Sequence, residues 1–355
     1  MRVHVHPADE GGCGYYRLRW ATEYLIAQGA DVALGAGIQG VYQDDDDGRP
    51  RLLGVVDPGC DVVVLQRVMA REVLDLIPHL QALGIGVVVE IDDHFHALAQ
   101  SNPAWEQTHP DRDPDYHRDI LTEACRIADL VTCSTRLLSR VYAPHGRVEV
   151  IPNYARAGWL DLPTTGGPWI GWTGTIATHQ GDLATVAGVF PDALPDGWGF
   201  QGIGSDRTRD VLRIPPDRFM SRPWLDLTSD EYPMAVGSFG VGIVPLAKTQ
   251  FNDAKSWLKG LEYAALGVPF VASPAADYRN LGRLLTVPLA RNRDEWKREL
   301  GKLTTNPDWR ATVAGVNRDR VRQRLTIEGN AERWMDAWTR AARRRKAVAG
   351  LTATR

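Results

Sequence analysis

The stretch from Phe251 to Ser273, FNDAKSWLKGLEYAALGVPFVAS, admits few folds. Asp253 is placed to cap a helix, Gly267 sits where a C′ glycine belongs, and Pro269 blocks continuation. Val268 to Ala272 is then a short apolar run, as a parallel strand buried on both faces requires. Leu258, Leu261 and Ala265 recur at i, i+3 and i+7 and face a sheet. Lys255, Lys259 and Glu262 recur at i, i+4 and i+7 on a different face. Two ammoniums and a carboxylate near a helix N-terminus suit a phosphate with a sugar hydroxyl beside it. The same spacing also describes an ion-paired, solvated stripe with no ligand.

A chain of 355 residues is long enough for two domains. Its 41 Lys and Arg against 44 Asp and Glu leave a net charge of −3, which excludes a polycation built to coat nucleic acid. Cys13, Cys60, Cys125 and Cys133 show no CxxC spacing and read as unpaired thiols of a reducing cytoplasm. The N-terminus begins a strand at once, with no leader pattern, and no stretch approaches about 20 continuous apolar residues. The expected location is cytoplasmic.

Arg2 to His6 is a candidate first strand. Gly11-Gly12-Cys13-Gly14 follows, then a helical stretch from about Tyr15 to Gln28 closed by Gly29. Strand, glycine loop and helix let backbone amides approach an anionic or polyhydroxyl ligand, and the same order also makes a tight turn with no ligand. Val41 to Val55 reads as a hairpin whose Asp44–Asp47 tip is a solvated acidic turn, because calcium-loop spacing is absent. Strands are expected at Asp61–Leu65 and Ile85–Ile91, with an amphipathic helix at Arg71–Leu83 between them. The second strand runs into Glu90-Ile91-Asp92-Asp93-His94-Phe95-His96. Ligands of open parallel sheets bind beyond strand C-termini, so Asp92, Asp93 or His94 is a candidate general base or acceptor-orienting group. Capping aspartates and a His/Asp metal set are the alternatives. Ala97–Asp115 reads as a surface loop and a candidate acceptor-recognition element. A helix at about Tyr116–Ala128, strands at Leu130–Cys133 and Val148–Ile151, and a Gly/Pro/Thr-rich linker over 155–168 complete the first half.

The second half repeats the alternation. Trp169–Thr175 is a strand ending in a glycine turn, followed by His179 and a helix beginning near Asp182. Strands follow at Gly199–Ile203 and Val241–Pro245, with a short helix at Asp230–Val236. From Arg293 the pattern is helical. The last helix, about Ile327–Ala347, carries Trp334 and Trp338 at i, i+4. Its end holds Arg340, Arg343, Arg344, Arg345 and Lys346, cations that complement the helix dipole or contact nucleic acid or another anionic surface.

The Phe251–Ser273 stretch resembles the nucleotide-sugar-binding segment of GT-B glycosyltransferases, which reads FNxAKSxLKxLEYxAxGxP in bacterial and phage members. Trp169–Asp182 is similar to a GWxGxxxxHxxDL pattern of the same enzymes. Gly11–Arg17, Glu90–Asp93 and Ile151-Pro152-Asn153 resemble the family's N-terminal glycine loop, its EIDD and its viPN exit from the first domain. The resemblance implies an α/β fold of the GT-B type: two Rossmann-like domains facing a cleft, with a C-terminal helix crossing back to the first domain and anchored by Trp334 and Trp338. Residues 1–154 would form the acceptor-side domain, 155–168 the linker, 169–326 the nucleotide-sugar domain and 327–355 the crossover helix and basic tail. It further implies that Glu262 holds the ribose hydroxyls and that Lys255, Ser256 and Lys259 lie near the diphosphate. Gly174 and Thr175 would lie against the donor, with His179 and Asp182 beside it, and the Gly12, Gly14, Tyr16 and Arg17 loop would face the cleft. Where retaining members often carry a second glutamate, this chain has Ala254, with Asp253 beside it.

The expected reaction is glycosyl transfer from a UDP or GDP sugar to an acceptor hydroxyl, with no metal and no bound cofactor. Retention is implied by the Glu262 motif, and an inverting reaction would take its base from Asp92, Asp93 or His94. Three rivals share the fold or the donor half: a nucleotide-sugar epimerase, a noncatalytic nucleotide-sugar-binding protein, and a phage-type enzyme acting on modified DNA bases. The acceptor and the oligomeric state are not specified by the sequence.

Overall fold

Val62–Gln66 and Gly86–Ile91 are buried from end to end, and such doubly covered strands belong in the middle of a parallel sheet. The computed structural model describes residues 1–109, 111, 116–179, 181–190 and 193–353. The chain forms two units. Unit 1 holds Met1–His96, Glu106–Pro152 and Ala331–Arg355, and unit 2 holds Ala97–Trp105 and Asn153–Asn330. Part of the expected Ala97–Asp115 loop, at 110 and 112–115, lies outside the described residues.

Unit 1 contains strands β1 (Val3–His6), β2 (Val32–Leu34), β3 (Gly40–Asp44), β4 (Pro50–Val55), β5 (Val62–Gln66), β6 (Gly86–Ile91), β7 (Leu130–Cys133) and β8 (Val148–Val150). Six of them form one sheet in the order β2-β1-β5-β6-β7-β8, and every pairing is parallel. β3 and β4 are the expected hairpin; the Asp45 carboxylate at its tip accepts from the Asp47 and Arg49 amides at 3.0 and 2.8 Å. The first helix departs from expectation. It starts at Gly12, passes through a π-helical turn at Tyr15–Arg19 and continues over Trp20–Ala27. Gly12 and Gly14 are thus in its first turn, not in a loop before it.

The last helix, Glu332–Ala353, starts later than expected and belongs to unit 1, so the chain returns there after completing unit 2. Trp334 and Trp338 are fully buried, and the Trp334 indole donates to the Arg17 carbonyl at 2.8 Å. The basic end of this helix is tied down in the same unit. Arg340 pairs with Glu149 at 2.6 Å, Arg345 with the buried Asp129 at 2.6 Å, and Lys346 with Asp61 at 3.3 Å.

Unit 2 contains β9 (Trp169–Thr173), β10 (Gly199–Ile203), β11 (Phe219–Arg222), β12 (Val241–Val244) and β13 (Phe270–Ala272). They form a parallel sheet in the order β11-β10-β9-β12-β13. Ile170, Trp172, Phe200, Ile243 and Val271 fill its core with Trp296, Leu300 and Leu303 of the helix Arg293–Thr305. The segment read as a linker is packed: Trp159 and Leu160 are buried, and Arg318 donates to the Leu162 carbonyl at 2.9 Å. The helix expected near Asp182 is only a 3-10 turn, Leu183–Val186.

The Phe251–Ser273 stretch is not one helix. Thr249, not Asp253, caps a short helix Gln250–Ala254, accepting from the Asn252 amide at 3.1 Å. Lys255 is extended, with φ −62° and ψ 141°, and a second helix runs Leu258–Ala265. Tertiary bonds override helix continuation here. The Trp257 amide donates to Asp277 at 3.0 Å, and its indole donates to the Asn153 carbonyl at 2.9 Å. Gly267 adopts φ +65°, the left-handed turn its position demands, and the chain enters β13.

Candidate functional site

In unit 2 the connections from β9 lead to β10 on one side, while β12 lies on the other. That reversal makes the C-terminal ends of β9 and β12 a switch point, where α/β sheets open a crevice for ligands. Gly174 leaves β9 at φ +146°. A Cβ there would lie 2.9 Å from the Trp172 ring and 3.1 Å from Lys259 Nζ, so the ring and the backbone conformation favour glycine. The Lys259 ammonium lies 4.8 Å over the Trp172 ring centroid and donates to the Thr173 carbonyl. Burial lowers its pKa to about 8, with Lys255 adding to the shift and Glu262 and Asp182 opposing it.

His179 is packed edge-on against Trp172, and its Nδ1 lies 3.0 Å from Asp182 Oδ2. Burial first, then the Lys255 and Lys259 ammoniums, lower its pKa to about 3 against the pull of Asp182, so the imidazole is neutral. With Nδ1–H assigned to the aspartate, Nε2 is left as an acceptor. The other Asp182 oxygen accepts from the Ala247 amide at 2.8 Å and from Asn252 Nδ2 at 2.6 Å, joining the β9 and β12 sides of the crevice. Lys255 lies in the extended break before the helix that carries Lys259, and both ammoniums lower the His179 pKa. Lys255 Nζ lies 4.7 Å over the Phe251 ring.

Glu262 is buried, and its Oε2 accepts from the Tyr232 hydroxyl at 2.9 Å. Ser256 Oγ accepts from Asn153 Nδ2 at 2.7 Å. Thr175 is bonded to Thr178 at 2.7 Å and, with His179, Gly204, Ser205 and Arg207, lines a pocket of about 540 Å³. Ala254 is buried and Asp253 exposed. Sequence reasoning missed Tyr232, Asn252 and Asn153. Each acts through a partner distant in sequence; Asn252 and Asn153 lie inside recognised motifs, and Tyr232 carried no signal.

The candidates in unit 1 divide. Asp9 Oδ1 takes the Gly11 and Gly14 amides, each at 2.9 Å, so an internal carboxylate occupies the cradle read as open to an anion. Tyr16 is buried edge-on to Trp20. Arg17 is 1% exposed and pairs with Glu90 at 2.7 Å inside the sheet, where Thr132 also donates to Glu90. Glu90 is therefore a core residue. Asp92 is held by Arg67, whose Nε donates at 2.6 Å, and its pKa lies below the usual carboxylate range despite the upward push of burial. Asp93 is half-buried. His94 is kept neutral chiefly by burial. His96 bonds Tyr142 at 3.3 Å and Thr122 at 3.1 Å, a structural role. No group of three or more His, Cys, Asp or Glu that could hold a metal occurs among the described residues. All four cysteines are free thiols. No described helix is long and apolar enough to cross a membrane.

Two doubly wound units with a final helix returning to the first define the GT-B fold of glycosyltransferases, and solved structures share it. Sucrose-phosphate synthase of Thermosynechococcus elongatus superimposes with a TM-score of 0.61 at 13% identity, covering 96% of this chain and 98% of that one. HepE of Anabaena, solved in complex with UDP, gives 0.60 at 12% identity over 96% and 100%. A UDP-forming trehalose-phosphate synthase of Burkholderia xenovorans gives 0.55 at 13% identity over 80% and 74%. No family model and no curated sequence matches the chain.

Proposed function

We propose that the chain transfers a sugar from a nucleoside-diphosphate sugar to an acceptor hydroxyl, with a UDP sugar as donor and no metal. The observation that carries this is the gathering of Lys259 and His179 on the Trp172 ring beside Gly174, at the switch point of unit 2. Breaking the glycosidic bond puts charge on the leaving diphosphate. Fixed ammoniums in a preorganised site stabilise that charge without the reorganisation water requires. In this reading Lys255 and Lys259 bind the diphosphate, and Glu262, aligned by Tyr232, accepts from the ribose hydroxyls. His179 Nε2 accepts from a sugar hydroxyl, while Asp182 fixes its tautomer. Ser256, Gly174 and Thr175 complete the walls.

The UDP complex of HepE, a protein of the same fold, supports UDP over GDP. Retention is the favoured outcome. An inverting reaction would draw its base from His94 or Asp93, because Asp92 is a weak base while paired with Arg67. The ion pairs of Arg340, Arg345 and Lys346 take up three of the five cations in the basic run, which weakens the case for a DNA acceptor.

A panel of UDP and GDP sugars scored for thermal stabilisation and for hydrolysis tests the proposal. Stabilisation with slow hydrolysis by one UDP sugar is expected. Stabilisation without any turnover would leave a binding protein, and interconversion of the sugar without acceptor an epimerase. No response to any nucleotide would overturn the donor site.

A further inference from the structure

Asp277 is a buried carboxylate in the helix Ala276–Leu281, which follows β13 in unit 2. Its Oδ2 accepts from the Trp257 amide at 3.0 Å, and its Oδ1 accepts from Asn280 Nδ2 at 3.4 Å. Burial raises its pKa to about 6 against both of those bonds. Asp253, Lys255, Lys259, Glu262 and Arg279 lie on the elements beside it, and among the described residues no charged group contributes to that shift. Arg279 turns instead to the Pro274 carbonyl. The neighbouring phenols of Tyr263 and Tyr278 are kept neutral by burial. A buried charge without a counter-ion costs stability. An asparagine would accept from the same amide with no charge to desolvate, so the fold itself does not require the carboxylate.

The group it holds is the junction of the Phe251–Ser273 stretch. Lys255 and Ser256 precede Trp257, and the helix Leu258–Ala265, with Lys259 and Glu262, follows it. That helix has no side-chain cap of its own. The acceptors at its start come from the next helix in the chain: Asp277 for the Trp257 amide and the Tyr278 hydroxyl for the Gly260 amide, at 3.4 Å. Asn153 anchors the other side of the break. Its carbonyl takes the Trp257 indole at 2.9 Å, and its Nδ2 donates to Ser256 Oγ at 2.7 Å. A bond to an ionised acceptor is roughly twice as strong as a neutral one, so the Asp277 carboxylate is the firmer of the two acceptors at the helix start.

We propose that Asp277 is a positioning residue for the donor site: through the Trp257 amide, its carboxylate holds the break between the two helices in the arrangement that presents Lys255, Ser256 and Lys259 to a diphosphate. This role rests on the reading of that segment as the donor site. The charge opposes folding and favours binding, so the two respond to pH in opposite senses. The folded chain takes up the Asp277 proton near pH 6, and the unfolded chain near the ordinary 3.8. Between those values the folded chain binds more protons, so Asp277 makes stability fall as pH rises, with its full cost present above about 6. A neutral carboxyl is the weaker acceptor, so the hold on Trp257 loosens as pH falls through about 6.

The test compares the full chain with its Asp277→Asn variant. It reads UDP affinity by calorimetry from pH 5 to 8, melting temperature, and hydrogen exchange over residues 255–261. The ionisation of UDP itself cancels in the ratio of the two affinities. Expected in the variant at pH 7.5 are a higher melting temperature, faster exchange at Trp257 and about threefold weaker UDP binding. At pH 5, where Asp277 is itself neutral, the two affinities should converge. Equal UDP affinity at pH 7.5, or a ratio that does not change with pH, overturns the positioning role and leaves the donor site standing. Tighter binding by the variant would show the charge acting directly against the ligand, and overturns it as well. So does a lower melting temperature of the variant at pH 7.5, which would make the carboxylate a stabilising element. If the parent protein binds no nucleotide at any pH, the donor reading falls and this role with it.

Discussion

His179 Nδ1 lies 3.0 Å from Asp182 Oδ2, and the second oxygen of that carboxylate holds the Ala247 amide and the Asn252 side chain. One buried residue therefore orients the imidazole and joins two segments of the site. Asp182→Asn would turn a donor toward at least one of those donors. The expected result is loss of about 1.5–3 kcal/mol of stability and at least a tenfold fall in donor hydrolysis. His179→Ala should lower hydrolysis with a smaller change in melting temperature. Equal stability losses in the two variants would show that Asp182 acts only through the histidine.

Glu262→Ala should remove a charged acceptor from the ribose, costing about 1.5–3 kcal/mol of binding. Nucleotide affinity then falls roughly ten- to a hundredfold. Tyr232→Phe, which removes only the hydroxyl bonded to Glu262, should cost less. Unchanged affinity of a folded Glu262→Ala protein for UDP by calorimetry would remove Glu262 from the donor site.

Lys259 gives the site a pH limit. Its pKa is lowered to about 8, so the free protein loses this cation above that pH, while a bound diphosphate holds the proton. Affinity for UDP should fall by up to about tenfold per pH unit above 8, with proton uptake on binding. The stability linkage has the opposite direction. Between about 8 and the ordinary lysine value of 10.5 the unfolded chain binds more protons, so Lys259 makes stability rise with pH across that window. Calorimetry at pH 7 to 9.5 in buffers of different ionisation heat reads the uptake, and its absence would place the diphosphate away from Lys259.

Turnover should persist in excess chelator, because two ammoniums stand where a divalent cation would stabilise the leaving diphosphate. Activity lost in chelator and restored by magnesium or manganese would overturn that account.

Arg345→Ala should strand the buried Asp129 carboxylate, which also accepts from the Val87 amide at 2.9 Å, and cost about 3–5 kcal/mol. Arg343→Ala and Arg344→Ala should each change stability little. A duplex-DNA titration across salt should show no binding by the parent protein even at low salt. A steep salt slope, flattened when Arg343, Arg344 and Arg345 are together replaced by alanine, would restore the nucleic-acid reading.

The doubly buried strands were legible because apolar runs bounded by glycine and proline have one physical meaning. β7 and β10 match the residues read from sequence, and the other recognised strands differ by a residue or two at their ends. Local chemistry likewise fixed the left-handed turn at Gly267 and the acidic tip of the β3–β4 hairpin. The resemblance of Phe251–Ser273 to a known segment supplied the candidate roles of Lys255, Lys259 and Glu262.

Tertiary structure decided what local pattern leaves degenerate. Helical spacing put Lys255 and Lys259 on one stripe, but the helix breaks between them, where Trp257 bonds Asp277 and Asn153, and tertiary packing sets Lys255 over Phe251 and Lys259 over Trp172. Tyr16 and Arg17 follow a glycine-rich turn in sequence, yet a buried carboxylate 73 positions along the chain, Glu90, draws Arg17 into the core. The basic run Arg340–Lys346 looked like free charge until Glu149, Asp129 and Asp61 faced it. A residue's type and spacing fix its local backbone preference, whereas its charge state and partners depend on groups brought near it from elsewhere in the chain.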